Sequence, residues 1–237
     1  LNIESSFGRA YPRFYIRGIG NTDFDLNASQ PVSLVYDDVV QENPILKGFP
    51  IFDMERIEVL NGPQGTLFGR NSPAGVVKFE SAKPGKKFEG YGLASIGRYS
   101  ALNLEGALNV PVNDTFAIRF AAQSQNRSDW VSNGNPKGPT QDLEGYHDNA
   151  LRVQGLLTPT KDLSVLLNLH HRRLDGSARV FRANVFTRGQ KGLNSNFNRY
   201  QVSTDGKNEQ HVNTYNGSAR ITWPTRSSTL AKSSQLI

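Results

Sequence analysis

Between residues 101 and 112 the chain alternates: Leu102, Leu104, Leu108, Val110 and Val112 fall on even positions, and Asn103, Glu105 and Asn109 on odd ones. Successive side chains of a strand point to opposite faces, so this spacing predicts a β-strand with one apolar and one polar face. The pattern returns with Phe116, Ile118, Phe120 and Ala122 set against Arg119, Gln123, Gln125 and Arg127, and again with Leu151, Val153 and Leu157 against Arg152 and Gln154. Leu163, Val165, Leu167 and Leu169 carry a further apolar face, and Tyr215, Ala219, Ile221 and Trp223 another, with Ser218, Arg220 and Thr222 between them. With a strand near 91–97 and one near 229–237, about seven strands are expected from residue 88 onward.

Alternation alone leaves two architectures open, because a soluble antiparallel sandwich also has one buried and one wet face. Connection lengths favour a membrane barrel. Tight turns at 112–115 and 158–162 alternate with long polar connections at 128–145 and 174–212, and if the first strand rises from the periplasm, with the connection at 98–100 external, every long connection falls outside. A plugged transporter barrel has about twenty-two strands. A part-barrel would leave unpaired edges in lipid, so the chain is expected to be a fragment, truncated at both ends.

Residues 1–87 have a different character. Short strands are predicted at 14–17, 32–36, 54–60 and 76–80, with Asp37-Asp38 reversing the second, and residues 44–52 form a short helix or irregular turn. An α+β module with a small sheet results. Its densest segment is 52–84, where Ile57, Val59 and Leu60 lead into Asn61-Gly62-Pro63, Gly65, Gly69 and Gly75 keep the chain turning, and Val76-Val77 open a new strand. A phosphate-binding loop would end in Lys followed by Ser or Thr, but Gly69 is followed by Arg70-Asn71. A dinucleotide fingerprint fails too, since Gly18 and Gly20 supply only its first half.

Taken with Arg17-Gly18-Ile19-Gly20 and Val35-Tyr36-Asp37-Asp38, this segment resembles the plug domain of TonB-dependent outer-membrane receptors. The resemblance implies a plug domain (its C-terminal part) over 1–87, and over 88–237 the first of the strands of an all-β transmembrane antiparallel barrel, about seven of some twenty-two. It also implies a latch and gate in the plug: Arg17, Gly18, Gly20, Asn61, Gly62, Pro63, Gly65, Gly69, Arg70 and Gly75. In the family, plug arginines are thought to pair with barrel glutamates. Arg17 matches the first such position, whereas Asn61 occupies the second, so the latch is expected to be weakened or rearranged. Ala74 and Lys78 also depart from the usual glycine and asparagine.

Composition narrows the function. No apolar run reaches the length of a spanning helix, and the absence of cysteine rules out disulfides and thiolate metal sites. The net charge of +6 is spread along the chain, giving no support for nucleic-acid binding. The sequence is expected to begin inside the plug, so that neither a signal peptide nor a TonB-binding peptide falls within it. His170 and His171 point to opposite faces of a strand and cannot share a metal. No catalytic constellation, metal site or cofactor is expected, and acidic residues such as Asp53 have no matched His or Ser. Arg172, Arg173, Arg179, Arg182 and Arg188 cluster at the start of the longest outer loop and are candidates for contact with an anionic ligand or lipopolysaccharide phosphates. The resemblance implies active transport of a scarce solute, most commonly a ferric siderophore, energised through TonB with ExbB and ExbD. Competing readings are a passive porin or adhesin barrel and a soluble β-protein.

Overall fold

The computed structural model describes residues 1–5, 8–23, 25, 28–43, 46–138, 142–182, 185–187, 189, 191–224 and 229–236. The N-terminal module contains β1 (Asn2–Glu4), β2 (Arg13–Tyr15), β3 (Val32–Tyr36), β4 (Val39–Gln41), β5 (Met54–Asn61) and β6 (Gly75–Ser81). β1 pairs with β2, and the other four form a sheet in the order β4-β3-β6-β5. Every residue of β3 is buried, which suits its central place between β4 and β6. The β3–β4 hairpin turns on Asp37 and Asp38, at φ 47° and 66°; positive φ at both central residues matches the right-handed twist of the strands, and Asp tolerates it. Phe14, Ile16, Val32, Leu34, Tyr36, Ala74, Val77 and Phe79 form the module's core. The first predicted strand is shorter than expected. It ends at Tyr15, after which Ile16 and Ile19 bridge across a turn at Arg17 and Gly18, both with positive φ.

The rest of the described chain is dominated by one antiparallel sheet. Its strands are β7 (Glu89–Gly97), β8 (Ala101–Asn113) and β9 (Phe116–Arg127); then, after the short β10 (Val131–Asn133) and β11 (Asp142–Leu143), β12 (Tyr146–Leu157) and β13 (Ser164–Ser177). The short β14 (Gln201–Val202) precedes β15 (Glu209–Pro224) and β16 (Thr229–Leu236). The seven long strands lie in sequence order, each bonded to its predecessor. Two boundaries differ from expectation: β13 runs on to Ser177 and β15 begins at Glu209, so the longest connection is shorter than its polarity suggested.

This sheet is inside out by the standards of a water-soluble protein. Ala107, Asn109, Arg119, Gln123, Asp148, Arg152, Gln154, Asn168 and Arg172 are buried. Leu104, Leu108, Phe120, Leu151, Leu157, Leu167, Leu169, Tyr215, Ile221 and Trp223 are exposed. The polar face lies against the N-terminal module and the apolar face looks outward. A soluble sandwich would do the reverse, and that reading is withdrawn. Among the described residues no helix is long and apolar enough to cross a membrane.

The long connections have structure of their own. β10 pairs antiparallel with β11 and parallel with β14, so the two loops are knitted into one small sheet. Val131, Leu143 and Val180 pack beneath it with Trp130 and Val202.

Candidate functional site: the joint between plug and wall

The plug meets the wall through a short peg at residues 52–53, just before β5. Phe52 is buried against Ala107, Ala121 and Ala150, small side chains that leave room for its ring. Asp53 follows with φ 49°, a left-handed backbone that aims its carboxylate back at the wall. The Nε and Nη2 of Arg119 donate to it at 2.9 and 2.5 Å, and Nη2 of Arg152 at 2.9 Å. Among the described residues Arg152 is the largest fully buried side chain. It also donates to the carbonyls of Phe52 and Asp53 and to the Tyr36 hydroxyl, at 2.8 Å for the last, and its guanidinium lies 4.8 Å from the Phe52 ring centre. Glu105 accepts the Asp53 N–H at 3.1 Å. Charges this deeply buried persist only when paired and hydrogen-bonded; both guanidiniums here have the Asp53 carboxylate, and of Arg152 only the Nε lacks an acceptor among the described residues.

Three further contacts tie the same faces together. Arg172 donates to both oxygens of Asp148, at 2.9 and 2.8 Å, and to the carbonyl of Gly48, while Arg9 of the plug also reaches Asp148 at 3.2 Å. Gly48 has no room for a side chain, since a Cβ would lie 2.6 Å from the Ala10 carbonyl oxygen. At the β3–β4 turn, Asn168 donates to Asp37, and Arg220 to the Asp37 carbonyl and Asp38. Where plug leads into wall, fully buried Asn109 exchanges hydrogen bonds of 2.8 Å with the backbone of Gly85. Within the plug, burial holds the Tyr36 hydroxyl above its ordinary pKa, and burial lowers buried Lys47, which donates to the Val32 carbonyl, to about 8.

The residues expected to form the latch and gate lie apart from this joint. Arg17 sits in an exposed turn rather than in a strand facing the wall. Asn61 ends β5 exposed, followed by Gly62 at φ 86° and Pro63. Gly65 opens a single helical turn (Gly65–Phe68) closed by Gly69 at φ 72°, and Arg70 forms an exposed ion pair with Glu42 at 2.6 Å. Gly18 has φ 79°, while Gly20 lies under the Tyr15 ring. Gly75 starts β6 at φ 147°, where a Cβ would lie 2.3 Å from the Leu60 carbonyl oxygen. At Asp53 the polarity is the reverse of the expected one, with a plug carboxylate between wall arginines, whereas Arg9 of the plug on Asp148 of the wall keeps it.

The basic cluster also divides. Arg172 is a strand residue buried against the plug rather than a loop contact, because β13 continues past it with the even positions inward. Arg173 points outward and pairs with Asp175 at 2.6 Å. Arg179 is exposed, Arg182 donates to loop carbonyls and pairs with Glu144 at 3.6 Å, and Arg188 lies outside the described residues. The joint residues Asp53, Arg119, Arg152 and Asp148 were missed as a group; the available signal was charge on the polar face of wall strands, where each cation needs a partner.

The family model for the TonB-dependent receptor plug domain matches residues 1–76. The chain belongs to the TonB-dependent receptors. The pesticin receptors of Yersinia enterocolitica and Yersinia pestis are 30% identical over 166 residues, covering 67% of this chain and 23% of theirs. It therefore spans about a quarter of the length of these curated relatives. The ferric yersiniabactin uptake receptor of Yersinia pestis superposes with a TM-score of 0.73 at 20% identity, over 95% of this chain and 34% of that one. The pyoverdine outer membrane receptor of Pseudomonas aeruginosa gives 0.65 at 14% identity, over 94% and 30%. The E. coli K12 ferric-catecholate import receptor gives 0.63 at 17%, over 92% and 32%. The receptor's fold is thus a small α+β plug seated on the first strands of an antiparallel barrel wall.

Proposed function

We propose that this receptor carries a scarce solute, a ferric siderophore, across the outer membrane by active transport, with residues 1–87 as plug and 88–237 as the first strands of the barrel. The observation that carries the reading is the inside-out wall with a plug bound to its polar face. An exposed band of leucines and aromatics suits lipid, and a polar lumen suits a solute path. The glycine-rich turn of residues 62–75 and the Asp53 joint form the gate. Supporting the cargo class, the relatives with solved structures are named for ferric yersiniabactin, pyoverdine and ferric catecholates.

Energy comes from the inner-membrane proton gradient through TonB with ExbB and ExbD, and ligand and pulling force shift the plug toward a state that opens the lumen. No chemistry is performed on the solute. Uptake of radioactive ferric chelates by iron-starved cells expressing the complete receptor tests this. Uptake should be saturable and should stop when a protonophore collapses the gradient; uptake that continues, in proportion to concentration, would make the receptor a passive pore.

A further inference from the structure

A cavity of about 50 Å³ lies where the β3–β4 hairpin and residues 49–50 of the plug face the inner side of β13 and β15. That is room for about three or four waters. Two of the wall residues lining it, Asn168 and His170, are each only 8% exposed, and Asn168 Oδ1 and His170 Nε2 have no hydrogen-bond partner among the described residues. Polar atoms buried this deeply are almost always satisfied, so the cavity is a place where water and protons reach the imidazole. The plug covers the ring: Tyr36 stacks parallel to it with centres 6.3 Å apart, and Phe52 lies tilted against it at 5.8 Å.

The charges around His170 are lopsided. It stands directly across the strand pair from Arg152 and two residues from Arg172 on the same buried face. The carboxylates of those arginines are already shared, Asp53 with Arg119 and Asp148 with Arg9. Asp37 is the one carboxylate lining the cavity, and it accepts twice from Ser81 and once from Asn168. The Tyr36 hydroxyl already accepts from Arg152, and β15 and residues 49–50 contribute only uncharged side chains to the lining. A neutral ring suits this setting. A protonated one would be a third buried cation without a carboxylate of its own, and its charge is relieved when the plug leaves and lumen water replaces it.

We propose that His170 is an acid-sensitive trigger of the gate: protonation of its ring loosens the plug from the wall, so that mild acid favours the open state. The proposal rests on the reading of the plug as a gate and adds the condition that eases its opening. Histidine ordinarily gains its charge between about pH 8 and 5, and carboxylates near pH ~4, so a window from about pH 7.5 to about 5.5 separates the ring from the ion pairs of the joint.

The complete receptor carrying Ala74→Cys in the plug core is held in nanodiscs, and the thiol's labelling rate is divided by that of the urea-unfolded receptor at the same pH, which removes the reagent's own pH dependence. Opening should speed about tenfold across the window, since each pH unit below the ordinary histidine value multiplies the protonated open population about tenfold. His170→Gln should hold the change within about twofold. His170→Phe, which keeps a ring against Tyr36 and Phe52, should do the same, so either variant that retains heat-resistant gel mobility decides the matter. His171→Gln alters the neighbouring histidine, which bonds Asn213 on the outward face, and should leave the response intact. A flat profile in the parent, a response that survives in a folded His170 variant, or one lost with His171→Gln would overturn the trigger and leave the gate standing. A parent labelled at the unfolded rate at about pH 7.5 would overturn the gate reading itself, and the trigger with it.

Discussion

Replacing Asp53 by Asn tests the joint most directly, because Asn tolerates the same left-handed backbone and leaves shape nearly unchanged while removing the charge. The Asp53 side chain is 2% exposed, Arg152 fully buried and Arg119 8% exposed. Removing one member of a buried ion cluster leaves the others unpaired, at a cost of about 3 to 5 kcal/mol. The plug-opening equilibrium should therefore rise by roughly two to nearly four orders of magnitude. Arg152 holds the Tyr36 hydroxyl and the Phe52 and Asp53 carbonyls of the plug as well as the Asp53 carboxylate, whereas Arg119 divides itself between that carboxylate and Glu89, 3.8 Å away on β7, so Arg119→Gln should cost less than Arg152→Gln. The chain has no cysteine, so Ala74→Cys in the plug core supplies a single buried thiol whose labelling rate reports opening. In that background Asp53→Asn should speed labelling at least about 100-fold, and the Asp53→Asn, Arg152→Gln double variant should fall well short of the sum of the singles. Labelling within threefold of the parent, or additive effects, would refute the latch.

Gly75→Ala should abolish the folded plug, because a Cβ collides with the Leu60 carbonyl at a φ of 147°, whereas Gly92→Ala, which meets open space, should be tolerated; proteolysis of the plug separates the two. Lys47 has a folded pKa of about 8 against 10.5 unfolded, so the unfolded state binds more protons between these values. Plug stability should rise by up to about 3 kcal/mol between pH 8 and 10.5 and be flat just below pH 8, a dependence that Lys47→Met removes from the urea midpoint. Leu169→Arg on the outward face should impair barrel assembly by about 2 to 4 kcal/mol if it lies near the bilayer centre, read as loss of heat-resistant mobility. Arg70→Ala should change stability by less than about 1 kcal/mol, since its pair with Glu42 is exposed.

Local pattern revealed much of this architecture. Dyad alternation found the wall strands, and Asp37-Asp38 and the glycine run marked the plug turns, because these signals depend only on neighbours in sequence. Periodicity separates two faces but does not say which one meets water; burial of Arg152 and exposure of Leu169 decide that. The joint was illegible for a related reason. Asp53 stands between Phe52 and Met54 with no local signature, and its partners lie 66 and 99 residues away. Arg172 read as the start of a loop because Arg-Arg-Leu-Asp-Gly-Ser is polar but for Leu174, yet strands whose inner face is polar can end in such a run. The parallel pairing of β10 with β14 joins two loops by backbone bonds, which carry no side-chain pattern.

The arginines of the joint also bear on the charge an empty wall would carry. With the plug in place, Arg119 and Arg152 share the Asp53 carboxylate, and Arg220 meets Asp38. A barrel deprived of its plug would keep these fixed cations on its inner surface, with Glu89 and Glu105 on the first strands only partly offsetting them. On these strands the seated plug thus supplies counter-charge as well as closure.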